Sequence, residues 1–301
     1  ASYDDNVSDL SLDNVLRQSL MLISVFPMLS VYGYHAYNHY ECDDSLYIHR
    51  PDPTLSTAEN LLRMLRPDKS YTPTEAKVLD AALVLHMEHG GGNNSTFTTR
   101  VLSSSGTDTY SAISAAIGSL KGPRHGGANI KVKHMMDELL ANIKDLTDEE
   151  EIADYLGKII TKDAGDGSGL IYGFGHAIYT LSDPRAKILK KNAKKLSAEK
   201  GMTDIYEFYK RVEKLVPSVF ENVKGSKKVI CANVDFYSGF VYDMLGIESD
   251  LFTPLFAVSR IAGWCAHRIE EITYGGRIIR PAYRSMVKPT GYVPLDERTA
   301  D

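Results

Sequence analysis

Three of the chain's nine histidines stand where helical patterning breaks. His89 precedes Gly90-Gly91-Gly92. His125 lies in LKGPRHGGAN, between a proline-arginine turn and two glycines, and His176 lies in YGFGHAIYTLSDPR, shortly before Arg185. Asp235 sits in ANVDFYSG at the start of an apolar stretch, Arg260 within the apolar FAVSRIAGW, and Arg280 in RIIRPAYRS. These residue types suit one kind of chemistry. Guanidinium forks would hold a small polycarboxylate in bidentate fashion. A carboxylate base would take a proton next to a carbonyl, and neutral imidazole donors would stabilise the enolate left behind. The stretch after His125 reads as a helix from about residue 126 to about residue 144, so this histidine falls at a helix N-terminus. Unpaired N–H groups there disfavour a positive charge and keep an imidazole neutral, as a donor must be. The two adjoining glycines remove side chains that would keep another group from its ring.

Each residue also has an ordinary reading. His125 fits a turn on a loosened helix start, His89 a helix C-terminus and His176 a loop. Asp235 is well placed as the N-cap of a helix beginning near Phe236, and Arg185 as a solvated first-turn residue. Arg260 is harder to assign to structure alone, because an arginine inside an apolar helix needs an anionic partner. His86 and His89 have HxxH spacing, but neither HExxH nor a Cys/His cluster occurs, so no metal is expected. The polar run DAGDGSG (163–169) lacks the Gly-Lys-Ser/Thr of a phosphate loop and the spacing of a dinucleotide fingerprint. No cofactor is expected.

The elements that must position these groups read as helices. Asp13 to Tyr40 is one long apolar helix or a pair joined at Pro27. STAENLLRMLRPDKS opens with Ser56 or Thr57 as N-cap, has Glu59 in capping-box position, and stops before Pro67. TPTEAKVLDAALVLHMEH carries Pro73 in its first turn and ends at the three glycines. TDTYSAISAAIGSL is a small-residue helix, and TDEEEIADYLGKIITK has the acidic start and basic end the macrodipole prefers. Two charged helices follow around residues 182–224, and a last one spans about Thr253 to Glu271. Only SLYIHR and GRIIRP have the look of short strands. The fold class is all-α.

Composition narrows the function classes. Hydrophobic content of 43% and charged content of 24% are ordinary for a globular chain. A net charge of −5 gives no whole-protein basic field, so nucleic acid is not an expected partner. Cys42, Cys231 and Cys265 are far apart and form no CxxC, which fits a reducing, cytoplasmic setting. The acidic start ASYDDNVSDLSLD does not resemble a signal peptide. The apolar run Leu20–Tyr34 falls short of a membrane span and contains Pro27, so it reads as a buried or interface helix, and no membrane partner is expected.

Taken in order, HGGGNNSTFTTR, LKGPRHGGAN, GFGHAIYTLSDPR, ANVDFYSG, LFTPLFAVSRIAGWCAHRIEE and RIIRP…YVPLDER resemble the citrate synthase family, which includes 2-methylcitrate synthases. The likeness runs from about residue 80 to the end. It implies a dimer of two-domain helical subunits, with a large domain from 1–126 and 247–301 and a small domain over 127–246 that closes on the substrates. It also implies roles. His125 would donate to the thioester oxygen as acetyl-CoA enolises, and Asp235 would remove the methyl proton. His176 would polarise the oxaloacetate ketone. His89, Arg185 and Arg260 would hold the oxaloacetate carboxylates, and Arg280 would reach across the dimer to the neighbouring active site. For CoA, Lys227 and Lys228 are placed for the phosphates and Gly173 to Gly175 for the adenine end, with a solvated lysine turn as the rival reading.

Three departures from the family pattern stand out. Arg124 adds a charge beside the key histidine, the Gly90-Gly91-Gly92-Asn93 run suggests a looser loop, and the chain starts after several N-terminal helices of the family pattern. The expected activity is condensation of acetyl-CoA, or alternatively propionyl-CoA, with oxaloacetate. A dicarboxylate-binding or scaffold protein without catalysis is the rival from another class. Retention of every chemical group argues against it. A citrate lyase module is disfavoured because no nucleotide-binding or phosphohistidine domain accompanies the motifs.

Overall fold

The computed structural model describes residues 1–175, 179, 181–225, 230–287 and 290–298. Among them lie eleven α-helices and no β-strand, in agreement with the all-α reading. The long α1 (Leu12–Cys42) runs unbroken through Pro27, so the single-helix alternative holds. Proline removes one backbone hydrogen bond, and packing of α1 on neighbours on either side of the break keeps the two halves in line. An 18-residue window of α1 has a mean hydropathy of 1.4, enough by length and composition to cross a bilayer, which the shorter apolar run had not suggested. In this fold that helix packs against the helices that follow.

The helix starts obey their local chemistry. α2 (Thr57–Leu65) and α3 (Pro73–His86) both open with complete capping boxes. Ser56 Oγ accepts the Glu59 N–H at 3.3 Å and Thr72 Oγ1 accepts the Glu75 N–H at 3.2 Å, while each glutamate reaches back to the cap N–H. α4 (Asn94–Ser104) has no counterpart in the sequence patterning, because NSTFTTRVLSS buries Ser95, Thr96, Thr99 and Ser103 where apolar residues would mark a core face. α5 (Thr109–Leu120) follows, then α6 (Ala128–Asn142), α7 (Glu149–Thr161), α8 (Pro184–Lys200) and α9 (Thr203–Lys224). α10 (Val234–Met244) and α11 (Phe252–Tyr274) complete the set.

The two expected strands are not strands. SLYIHR and GRIIRP are extended coil, tied down by single contacts such as Tyr47 Oη to the Leu65 carbonyl at 2.6 Å and the Ile279 N–H to Ser104 Oγ at 3.0 Å. Among the described residues neither pairs with a second segment, and a lone strand leaves its ladder unsatisfied. One isolated antiparallel bridge, Phe174 with Ala232, joins the loop before α8 to the loop before α10.

Buried apolar residues of α2, α3 and α6 to α11 form one continuous core, from Leu62 and Leu79 through Met136 and Leu196 to Phe236 and Phe252. A second cluster joins Leu22 of α1, Ile113 and Ala116 of α5, and Ile261 and Trp264 of α11. The breaks that carry the chemistry-bearing residues lie where these two packings meet, at the ends of α3, α5, α8 and α10.

Candidate active site

Asp235 is the second residue of α10, and the N-cap is Asn233, whose Oδ1 accepts the Asp235 N–H at 3.0 Å. The capping role anticipated for Asp235 therefore belongs to its neighbour, and no hydrogen bond reaches the Asp235 carboxylate among the described residues. Burial pushes that carboxyl up to about 6, opposed by the positive charges of Arg185 and Arg260 and reinforced by Asp183. A carboxylate of this kind is a stronger base than an exposed one.

The loop before α10 is aimed by its pairing with residues 173–175. The Asn233 N–H donates to the Gly173 carbonyl at 2.8 Å, the Gly175 N–H to the Cys231 carbonyl at 2.9 Å, and Asn233 Nδ2 to the Gly175 carbonyl at 3.1 Å. Gly173 holds φ +80, and a Cβ there would stand 3.0 Å from Phe236. This glycine lets the loop lie directly on the first turn of α10.

His125 lies two residues before Gly127, the N-cap of α6. Its ring is edge-on to Phe256 at 5.9 Å, and Nε2 lies 2.9 Å from Ser95 Oγ. The same serine oxygen accepts Trp264 Nε1–H at 3.1 Å and is 3.1 Å from Asn93 Oδ1. The one Ser95 hydroxyl proton has two acceptors in reach, Asn93 Oδ1 and His125 Nε2; when it turns to Nε2, the imidazole proton sits on Nδ1 and can be donated. Burial first, and the Arg260 charge second, hold His125 below its usual range. Packing and a nearby cation thus both favour the neutral imidazole. The adjoining glycine is also required by packing. A Cβ on Gly126 would collide with the Leu120 carbonyl and stand 2.8 Å from Thr253 Cγ2, so the residue is small to let α5 and α11 close on the turn. Gly126 N–H donates to the Leu120 carbonyl at 2.8 Å, and Thr253 Oγ1 donates to the Gly126 carbonyl at 3.0 Å.

Two guanidinium groups accompany the acid and the imidazole. Arg260 is 1% exposed, donates Nε to the His86 carbonyl at 2.7 Å and Nη1 to Asn93 Oδ1 at 3.2 Å, and lies over Phe256. Among the described residues it forms no ion pair: burial lowers its pKa to about 10, and the charges of Glu88 and Asp235 oppose that from a distance. A buried arginine held only by neutral acceptors is suited to an incoming carboxylate. Arg185, on the first turn of α8, is not the solvated residue it might have been. Asp183, the α8 N-cap, accepts Nε at 3.1 Å and Nη2 at 2.8 Å, and Nη1 faces His89 Nδ1 at 3.5 Å. Donation to Nδ1 leaves the His89 proton on Nε2.

The fold therefore brings together His89, His125, Arg185, Arg260 and Asp235. Arg280 is exposed in the coil after α11 and is not part of this cluster within one chain. His176, Lys227 and Lys228 lie outside the described residues. Ser95, Asn93, Asp183 and Trp264 were missed by sequence reasoning. Asp183 alone had a visible signal, as the Asp-Pro that opens a helix two residues before a site arginine. His86 is also present, with Nδ1 2.8 Å from the Ala82 carbonyl and burial pushing it down to about 4.

The described site thus combines a desolvated carboxylate, imidazoles and buried guanidinium groups on an all-helical fold. The family model for the citrate synthase C-terminal domain matches residues 1–282, and the chain belongs to the citrate synthase family. It is 41% identical over 250 residues to a citrate synthase of Synechocystis, covering 83% of this chain and 58% of that protein. It is 36% identical over 279 residues to a 2-methylcitrate synthase of Shewanella oneidensis, covering 92% of this chain and 67% of that one. The chain thus spans about three fifths of the length of several curated relatives that it matches. Among solved structures it is similar to the citrate synthase of Thermoplasma acidophilum in a ternary complex with carboxymethyl coenzyme A and oxaloacetate, with 31% identity and a TM-score of 0.76 over 99% of this chain and 72% of that one.

Proposed function

We propose that this chain catalyses the condensation of acetyl-CoA with oxaloacetate and water to give citrate and CoA. Asp235 takes a proton from the acetyl methyl group, and the neutral His125 donates a hydrogen bond to the thioester oxygen on which charge develops. The enolate carbon bonds to the ketone carbon of oxaloacetate, whose oxygen takes a proton from His176. Water then cleaves the thioester, releasing the CoA thiol and the new carboxylate. Arg185, Arg260 and His89 Nε2–H hold the oxaloacetate carboxylates, and Arg280 serves the neighbouring site of a homodimer. Closure of residues 127–246 on the remainder would exclude water from the enolate. Lys227, Lys228 and the 173–175 turn are the proposed CoA contacts.

The observation that carries this reading is the half-buried Asp235 carboxyl, without a hydrogen-bond partner among the described residues and raised by desolvation to about 6, in the field of Arg185 and Arg260. A purely binding site for dicarboxylates has no use for a desolvated carboxylate, which repels its ligand. The 2-methylcitrate synthase among the relatives supports propionyl-CoA as the second acyl substrate. The test is free thiol release from acetyl-CoA and from propionyl-CoA, each with oxaloacetate. The ratio of kcat/KM values names the acyl group, and absence of release with both, in a folded protein that binds oxaloacetate, would favour the binding role.

A further inference from the structure

The glycine-rich loop that carries His89 is held by a charged residue outside the proposed reaction. Glu88 Oε1 accepts the His89 N–H at 2.9 Å and also the Gly90 N–H, and lies 3.0 Å from His267 Nε2 of α11. His267 Nδ1 is in turn 2.9 Å from Glu270 Oε2. The other Glu88 oxygen stands 2.6 Å from the point where a Cβ on Gly263 would be, so α11 is hollowed to admit it. Burial alone would raise the Glu88 carboxyl, but the bonds from His267 and from the Gly90 and His89 N–H groups hold it below its usual range. The looseness expected of Gly90-Gly91-Gly92 is thus countered from the side of α11. Among opposite charges, Glu88 also acts most strongly on Arg260.

We infer that Glu88, anchored by His267, is a positioning residue that sets the loop so that His89 and Arg260 meet the same oxaloacetate carboxylates. This rests on the dicarboxylate site proposed above. Glu88 does not touch substrate. It fixes two backbone N–H groups of an otherwise glycine-rich turn, and so pre-orders a ligand contact whose ordering would otherwise be charged against binding.

The experiment compares wild type, Glu88→Ala, Glu88→Gln and His267→Ala in equilibrium titrations with oxaloacetate and in thiol release with acetyl-CoA. Glu88→Ala is expected to weaken oxaloacetate binding and raise its KM by roughly tenfold or more, as loss of charge-assisted bonds does, with a smaller change in kcat at saturation. Glu88→Gln keeps the acceptor oxygen and should recover part of the loss. His267→Ala should fall between the two. Backbone hydrogen exchange over residues 88–93 should speed up in Glu88→Ala and His267→Ala. If the variants lose thermal stability while the affinity and KM for oxaloacetate stay as in wild type, Glu88 is structural only and the inference is overturned. If wild type itself binds no oxaloacetate, the dicarboxylate site is wrong and the inference falls with it. These two failures are read from different proteins in the same series.

Discussion

Replacing Asp235 by asparagine should abolish turnover and yet stabilise the fold, and the gain should depend on pH. The carboxyl rises from 3.8 to about 6 on folding. A raised carboxylate favours its neutral form in the native state, so the native protein binds the extra proton between those two values. The sign follows: no penalty exists below about pH 3.8, it grows through the interval, and it is complete above about 6. A shift of about two units corresponds to about 3 kcal/mol at pH 8, an upper figure because Asp235 keeps partial solvent contact. Asparagine carries no charge at any of these pH values and avoids the penalty. Unfolding entropy of about 2.1 cal/mol/K per residue turns that energy into a Tm rise of roughly 5 °C for a chain of this size. Scanning calorimetry of wild type and Asp235→Asn at pH 8, 6 and 4 measures it. The Tm difference should be largest at pH 8 and close to zero at pH 4. A variant less stable than wild type at pH 8, or a difference that does not change with pH, would refute a desolvated carboxylate at this position.

Other outcomes follow from named contacts. Ser95→Ala removes the group shared by His125 and Trp264, so kcat should fall roughly tenfold to a hundredfold, with little change in KM for oxaloacetate in steady-state assays. Arg260→Lys loses the planar fork and should raise the KM for oxaloacetate by about tenfold or more. Glu75 is 1% exposed, and although burial alone would raise its carboxyl, Arg66 and Lys200 hold it at about 2. Its depressed value means that it stabilises the fold above about pH 4.5 and that this is lost as pH falls towards 2; urea midpoints of wild type and Glu75→Gln should converge over that range. Arg268 is fully buried and donates to Thr109 Oγ1, Ser103 Oγ and the Thr107 carbonyl, so Arg268→Ala should destabilise by about 3 kcal/mol in urea unfolding.

The helices were legible because their starts are written locally. Ser56 with Glu59 and Thr72 with Glu75 are capping boxes in the sequence and in the fold. α4 was not, because its buried face is made of serines and threonines, whose partners are polar groups such as the Ser95 carbonyl for Thr99 at 3.0 Å and Arg268 for Ser103. SLYIHR and GRIIRP carry strand-like residue types, but pairing is a non-local property and among the described residues no segment pairs with them. At the site, the sequence singled out Asp235 and His125, while the groups that act on them lie partly elsewhere in the chain. Asn233 two positions earlier takes the cap, which frees the carboxylate, and Arg260, far along the chain, supplies the charge that helps to keep His125 neutral. Ser95 and Trp264 gave no signal, since their link to His125 exists only once α4 and α11 pack together.

The role of Asp235 as the base in an acyl-CoA condensation is tested most directly by one measurement. Free CoA thiol is followed at pH 8 with saturating acetyl-CoA and oxaloacetate, for wild type and for Asp235→Asn confirmed as folded by its calorimetric transition. Release by wild type that drops by at least a thousandfold in the variant, with oxaloacetate binding retained, is the predicted result. Equal release by the two proteins would contradict it, because the proton would then be leaving the acetyl group by way of some other residue.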